Sequence, residues 1–414
     1  MRNLRFNHRL LLITTGRLAA VAVTASALLV ALSGCAGLPR PVASTHVEPA
    51  ATVVTVHEAG TLLLPDIDTD VIIEIARWKH DAAAAVSITF DDGTLDQYLL
   101  AAPVLDEHGM RATFFLIPGF MDGGIWNDSG TERLLFGWDA ARNLHRRGHE
   151  IGAHTMTHGD LSRANRQQVF WELSESRQQL EARIPGAHVT TFAWPYWRSG
   201  SEARAVASEV FTASRAGAAS ANRFREHGIP EARPANRSAV NALALLPSHD
   251  PVTWREVAEE LIDLRGWGVL SLHGVTDGVL ANEAIGWQPL SLHQLRAVLA
   301  YLRDERYWVA PFGTVMDYIE RRDATTLTML PPSPLTGESA GSPTARFAVS
   351  QSSDSQAASG AAPGGFVTVV ISNTVAACTA RVLADERPIP VSCRSGRARF
   401  DVPDGTGVID VILP

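Results

Sequence analysis

The stretch Val86-Ser87-Ile88-Thr89-Phe90-Asp91-Asp92-Gly93 decides the fold. Its first five residues are short, mostly apolar and rich in β-branched and aromatic types, as a buried strand requires. The run ends abruptly in two carboxylates and a glycine. Working outward, Leu99 to His108 has helical spacing and stops at Gly109. Ala112 to Ile117 is a second strand, Asp139 to Arg147 a second helix ended by Gly148, and Glu150 to His154 a third strand. Arg166 to Arg183 is a long helix with a polar face, and Val189 to Trp194 a fourth strand. Apolar strands alternating with helices predict an α/β architecture with parallel strands. The region from about residue 61 to 322 is long enough for closure into a barrel. In such folds chemistry sits at the C-terminal ends of the strands.

Composition limits the alternatives. The chain has 414 residues, 46% hydrophobic and 19% charged, too apolar for a disordered chain and long enough for two folded units. A net charge of −8 argues against a broad nucleic-acid-binding face. Lys79 is the only lysine, a bias read as genomic base composition rather than function. Three cysteines exclude a four-thiolate iron–sulfur cluster and an all-cysteine zinc site. No glycine-rich phosphate loop follows a strand, which disfavours a nucleotide-dependent enzyme.

Four clusters of reactive side chains follow strands. Asp91 and Asp92 can point different ways, one toward a metal and one toward a water. His154-Thr155-Met156-Thr157-His158 places two imidazoles at i and i+4, and with one carboxylate these form a metal set with open positions. Phe192-Ala193-Trp194-Pro195-Tyr196-Trp197 is a rigid aromatic wall, and Val269-Leu270-Ser271-Leu272-His273 delivers one histidine at a strand end. Each alone has an ordinary alternative: an Asx-type turn, surface histidines, a buried strand terminus, a structural histidine.

Taken together and in this order, the four clusters resemble the polysaccharide deacetylase family, the NodB-homology domain of carbohydrate esterase family 4, over roughly residues 75–322. Arg111-Ala112-Thr113-Phe114-Phe115, Gly148 to His154 and Trp308 to Gly313 add to the likeness. The resemblance implies a deformed (β/α) barrel and hydrolysis of acetyl groups from an acetylated glycan. Asp91 would be the catalytic base and His273 the general acid. Asp92, His154 and His158 would hold a divalent metal, zinc above all, with cobalt or another divalent ion as the alternative. Trp194, Pro195 and Tyr196 would line the acetyl pocket, with the Tyr196 main-chain N–H as oxyanion donor. An O-acetyl esterase using the same residues, and a catalytically silent glycan-binding member, are the competing readings. The five intact reactive residues speak against the second.

One position departs from the family pattern. Many members carry an arginine two residues before the proline of the third cluster, paired with the base. Here that position is Ala193. Arg215 is the candidate replacement, with an ordinary surface arginine as the alternative. The segments Gly119 to Phe136, with Trp126, and Gly274 to Leu290, with Trp287, are expected to overhang the mouth of the site.

The ends of the chain carry other signals. Arg2, Arg5, Arg9 and Arg17 precede a predominantly apolar run at 18–32 and then Leu32-Ser33-Gly34-Cys35. A charged segment followed by an apolar one too short to span a bilayer comfortably is a secretory signal. The residues before Cys35 resemble a bacterial lipobox, which implies lipidation of Cys35 and a lipid-anchored protein of the cell envelope, at the outer membrane and periplasm or at the cell surface. Residues 1–34 would then be the signal and 35–60 a tether, leaving a catalytic domain at 61–324. Beyond Pro331-Pro332-Ser333-Pro334, short alternating strands predict a small β-sandwich at 325–414, stapled by a Cys378–Cys393 disulfide. An acetylated glycan and, through Cys35, a membrane are the expected partners; no nucleic acid or obligate protein partner is expected.

Overall fold

The computed structural model describes residues 62–63, 71–128, 130–217, 234–331, 345–351, 365–372 and 377–413. Cys35, the signal and the tether lie outside them. Eight parallel strands, here β1 to β8, form one curled sheet: Ala84–Asp92, Thr113–Leu116, Glu150–Ala153, Thr191–Ala193, Ala213–Arg215, Leu243–Ala244, Trp267–Leu272 and Tyr307–Val309. The order is β6-β7-β1-β2-β3-β4-β5, with β8 pairing the start of β1 while β2 pairs its end. The two edges meet through Val240, which bridges to Arg215 and exchanges hydrogen bonds with Ser214 and Ala216. The result is the deformed (β/α) barrel expected from the sequence.

Period-two alternation sorts β1 between two environments. Val86, Ile88 and Phe90 pack outward into the large core shared with the helices, whereas Ala85 joins Phe115, Ala193, Trp267 and Phe312 in a second core. Ser87, Thr89 and Asp91 lie between these positions and are also buried. Their polar groups are accommodated in place: the Trp267 indole N–H donates to Ser87 Oγ at 3.0 Å, and Thr89 Oγ1 donates to the Leu270 carbonyl at 2.9 Å. The surrounding helices follow their sequence signals. Arg166–Arg183 begins with a capping box between Asn165 and Gln168. Gly109 and Gly148 end the two preceding helices with φ of 69° and 85°.

Ten further strands form two antiparallel five-stranded sheets around a core containing Ile73, Leu327, Phe347, Val369, Ile371, Phe400 and Val411, and the other described strands form two short two-stranded pairs. Here the boundary at 61 needs correction, whereas the one at 325 coincides with the first strand of the second sheet. Leu62–Leu63 and Ile72–Ile75, assigned by sequence to the catalytic domain, pair with Phe366–Ser372 in the sandwich. The alternation in Ile72-Ile73-Glu74-Ile75 marks a strand, but its partner lies almost 300 residues away, beyond any local signal. Thr325–Leu330 leaves the helix Phe312–Ala324 directly and is an edge strand of the other sheet. The two parts are stitched together: the Tyr318 hydroxyl donates to the Ala76 carbonyl at 2.9 Å, and Arg397 reaches both Glu74 and Asp81. Cys378 and Cys393 form the expected disulfide.

Candidate active site

All the reactive clusters converge at the C-terminal mouth of the barrel. Asp91 and Asp92 end β1, and the chain turns there because both Asp92 and Gly93 adopt left-handed backbone, with φ of 76° and 78°. A β-carbon at Gly93 would come within 2.9 Å of the Leu116 side chain, so glycine is required. The turn releases Asp92 from the strand alternation and aims it at the two histidines. His154 Nε2 and His158 Nε2 lie 3.5 and 3.4 Å from Asp92 Oδ1. Among the described residues, these three side chains form a group whose ligand atoms all lie within 4.8 Å of one another.

The donor set fits a divalent cation. Asp92 Oδ1 is buried and has no hydrogen-bond partner among the described residues, an arrangement that costs free energy unless a cation faces it. His154 Nδ1 lies 2.8 Å from the Ala193 carbonyl, so it carries the proton and leaves the Nε2 lone pair toward Asp92. His158 Nδ1 lies 3.2 Å from the Tyr196 hydroxyl. Burial, reinforced by neighbouring His154, pushes the His158 pKa down to about 4 and keeps that imidazole neutral at ordinary pH. Burial alone would raise the Asp92 pKa, but the imidazoles facing it outweigh this and hold it well below the ordinary carboxylate value.

Asp91 has a different partner. The Arg215 guanidinium donates from Nη2 to both Asp91 oxygens, and both residues are buried. Arg215 also lies over the Phe115 ring at 5.6 Å. Ala193 and Arg215 are register neighbours on β4 and β5. The arginine missing at 193 is therefore supplied at the same level, one strand over. His273 follows β7, with Nε2 3.5 Å from Asp91 Oδ2. Gln97, which the sequence reading passed over, ties these two strand ends together. Its amide donates to the Asp91 carbonyl, to the His273 carbonyl at 2.8 Å and to Thr94 Oγ1 at 3.1 Å.

These groups open onto a cleft of about 640 Å³. Trp126 and Trp287 line it, as expected of the two overhanging segments, but they differ in role. Trp126 is 6% exposed and packs edge-on against His158, with ring centres 4.6 Å apart. Trp287 is 48% exposed and sits beside His273. Tyr196 and Trp197 line the cleft with φ of 56° and 58°, backbone strain of the kind found at functional sites. The third cluster needs one correction. Trp194 is fully buried, donates its indole N–H to the Ser238 carbonyl and does not line the cleft; Pro195 is buried as well. Strand alternation sends Trp194 outward, against Phe192 and away from the cleft. Asp128 and Arg133, on the Ile125–Asp128 and Thr131–Leu134 hairpin, also line the cleft, although no local pattern marks them.

Comparison with known proteins agrees with this geometry. Residues 79–211 match the family model described as polysaccharide deacetylase. The chain is 32% identical over 115 residues to a chitooligosaccharide deacetylase of Sinorhizobium fredii, covering 28% of this chain and 47% of that protein. It is 24% identical over 275 residues to a gellan lyase of a Bacillus species, covering 62% of this chain but 10% of that protein. The chain thus spans less than half the length of either relative. Among solved structures, Streptococcus pyogenes deacetylase PplD in complex with acetate is similar at 21% identity and a TM-score of 0.34, covering 41% of this chain and 69% of that one. Asp91, Asp92, His154, His158 and Tyr196 fall inside the matched stretch, whereas Arg215 and His273 lie beyond it and join the site through the fold. Over residues 79–211, the chain is thus similar to the polysaccharide deacetylase family.

Proposed function

We propose that this chain hydrolyses acetyl groups from the N-acetyl sugars of a polysaccharide, with a divalent metal at Asp92, His154 and His158. Zinc is the first expectation, because two imidazoles and a carboxylate suit it. The observation that carries the reading is the convergence, in one cleft, of this set with the Arg215-paired Asp91 and with His273. A divalent cation held there would polarise the acetyl carbonyl and make a water more acidic.

The chain's own groups do the rest. Asp91 takes the proton of the attacking water, and Arg215 holds its carboxylate in one orientation. As the acetyl carbon becomes tetrahedral, the Tyr196 main-chain N–H donates to the developing oxyanion, a contribution of about 3–4 kcal/mol for one such donor. His273 protonates the leaving nitrogen as the carbon–nitrogen bond breaks, giving a free amine and acetate. Trp287, half exposed beside His273, offers a face on which a sugar ring can stack. From the charged and apolar segments before Cys35 we further propose that the protein is held at the bacterial cell envelope through lipid on Cys35.

The test is acetate release from chitooligosaccharides, peptidoglycan and acetylated xylan, with and without chelator. Chelator-sensitive release from the first two, restored by zinc, is the expected result. No acetate from any substrate after zinc is restored would overturn the assignment. Full activity in an Asp91→Asn variant would remove Asp91 as the base.

A further inference from the structure

The three candidate ligands are not held alike. Asp92 ends β1. His154 directly follows β3: its main-chain N–H donates to the Leu116 carbonyl and its ring is tied to the Ala193 carbonyl. His158 instead closes an irregular loop, Thr155 to His158, and two of the loop's residues, Thr155 and His158 itself, have left-handed backbone with φ of 62° and 59°. Left-handed backbone is unfavourable for β-branched threonine, so the loop keeps this shape only if something outside it holds it.

Glu172 provides that hold. It lies on the capped helix Arg166–Arg183, whose Val169, Leu173, Ser176 and Leu180 are buried. Its Oε2 accepts the main-chain N–H groups of Met156 at 2.8 Å and Thr157 at 3.0 Å, and its Oε1 accepts the Thr157 hydroxyl. Gly119 N–H grips the loop from the other side, donating to the Met156 carbonyl at 3.0 Å. We propose that Glu172 is a positioning residue: acting through the Thr155–His158 loop, it holds the His158 imidazole on Asp92 and so sets the affinity of the centre for its metal. This rests on the metal reading above. Glu172 lies 14 residues beyond His158, on a helix with no reactive cluster of its own, so no local pattern draws attention to it.

The bonding pattern makes a sharp prediction about two substitutions. In Glu172→Gln, the amide oxygen can accept both main-chain N–H groups while the amide nitrogen donates to the Thr157 hydroxyl, so all three contacts survive without the charge. In Glu172→Ala none survives. The experiment measures zinc affinity of the purified full chain by competition with a chromophoric chelator, alongside melting of the metal-free protein. Glu172→Ala should bind zinc about 10–100-fold more weakly, the usual consequence of removing a group that orients a metal ligand. Glu172→Gln should stay close to wild type, metal-free melting should change little, and excess zinc should restore kcat in the alanine variant. The proposal is overturned if Glu172→Ala binds zinc as wild type does, or if Glu172→Gln loses affinity as severely as alanine. If the wild-type protein takes up no zinc or other divalent ion, the metal reading itself falls and this proposal with it.

Discussion

Replacing Arg215 with methionine tests the most specific feature of the site. The Asp91–Arg215 pair is buried, with Arg215 fully inaccessible and Asp91 1% exposed. Exposed ion pairs contribute about 0–1 kcal/mol. Removing one partner of a buried pair costs about 3–5 kcal/mol, because the remaining charge is stranded away from water. Methionine fills much of the space over Phe115, so a cavity adds little. For a chain of this size, about 2 °C per kcal/mol converts that cost into a fall in Tm of roughly 6–10 °C. Thermal melting measures it directly. Asp91→Asn combined with Arg215→Met removes both charges and should recover most of the loss, which separates charge stranding from poor packing. Acetate release should fall about 100-fold in Arg215→Met, as expected when a catalytic group loses its orientation. The register of Ala193 and Arg215 permits a further step. Ala193→Arg combined with Arg215→Ala returns the guanidinium from the neighbouring strand at the same level, and should regain part of kcat relative to Arg215→Ala alone. If Arg215→Met melts and turns over like wild type, Arg215 does not hold the base. If the exchanged pair recovers nothing, the two strand positions are not equivalent.

Other consequences can be measured independently. Replacing Cys378 and Cys393 with serine should lower stability by about 3 kcal/mol for a 15-residue separation; an unchanged denaturation midpoint under non-reducing conditions would mean that the bond contributes nothing. A chain ending at residue 330 should lose cooperative melting, because Ile72–Ile75 would lose its partner strand and the Ile73 face its core; an intact transition at the wild-type temperature would contradict this. Burial, with Glu150 nearby, pushes the Asp317 pKa up to about 7. A carboxyl whose folded pKa is raised contributes stability that is present at low pH and is lost as pH rises through about 7. Asp317→Asn should therefore raise Tm at pH 8 and do little at pH 4, and equal effects at both pH values would refute the assignment. Trp287→Ala should raise KM for an oligosaccharide several-fold with a smaller change in kcat, and an unchanged KM would exclude a stacking role for the ring.

Much of the fold was legible because its signals are local. Strand runs such as Val86–Phe90 and the stops at Gly109 and Gly148 each act within a few residues, so they can be read without a partner. The same holds for Asp91, Asp92, His154 and His273, which the barrel places at its mouth because each ends or directly follows a strand, and for His158 four residues beyond His154. The connections between distant segments were not legible. Ile72–Ile75 reads as a strand, but nothing nearby says that it completes a sheet with Phe366–Ser372. Trp194 belongs to an aromatic run that suggests a pocket wall, yet strand alternation buries it, and a left-handed turn beyond the strand puts Tyr196 and Trp197 on the cleft.

The sequence by itself determined which chemistry is present: two carboxylates, three histidines and the turns that expose them. Only the tertiary structure decided which of these groups act on one another. Arg215 is one of 35 arginines in the chain, and although the sequence offers it as a candidate for the arginine missing at 193, nothing within its own segment shows that it reaches Asp91. It meets Asp91 because β5 lies beside β4 in parallel register and the curled sheet carries its guanidinium to the end of β1. Glu172 likewise looks like any other surface acid until the helix is docked and its carboxylate reaches the loop that carries His158. Propensity and turn chemistry act over a few residues, whereas the pairing of a buried charge is settled by strand register and packing across the whole barrel.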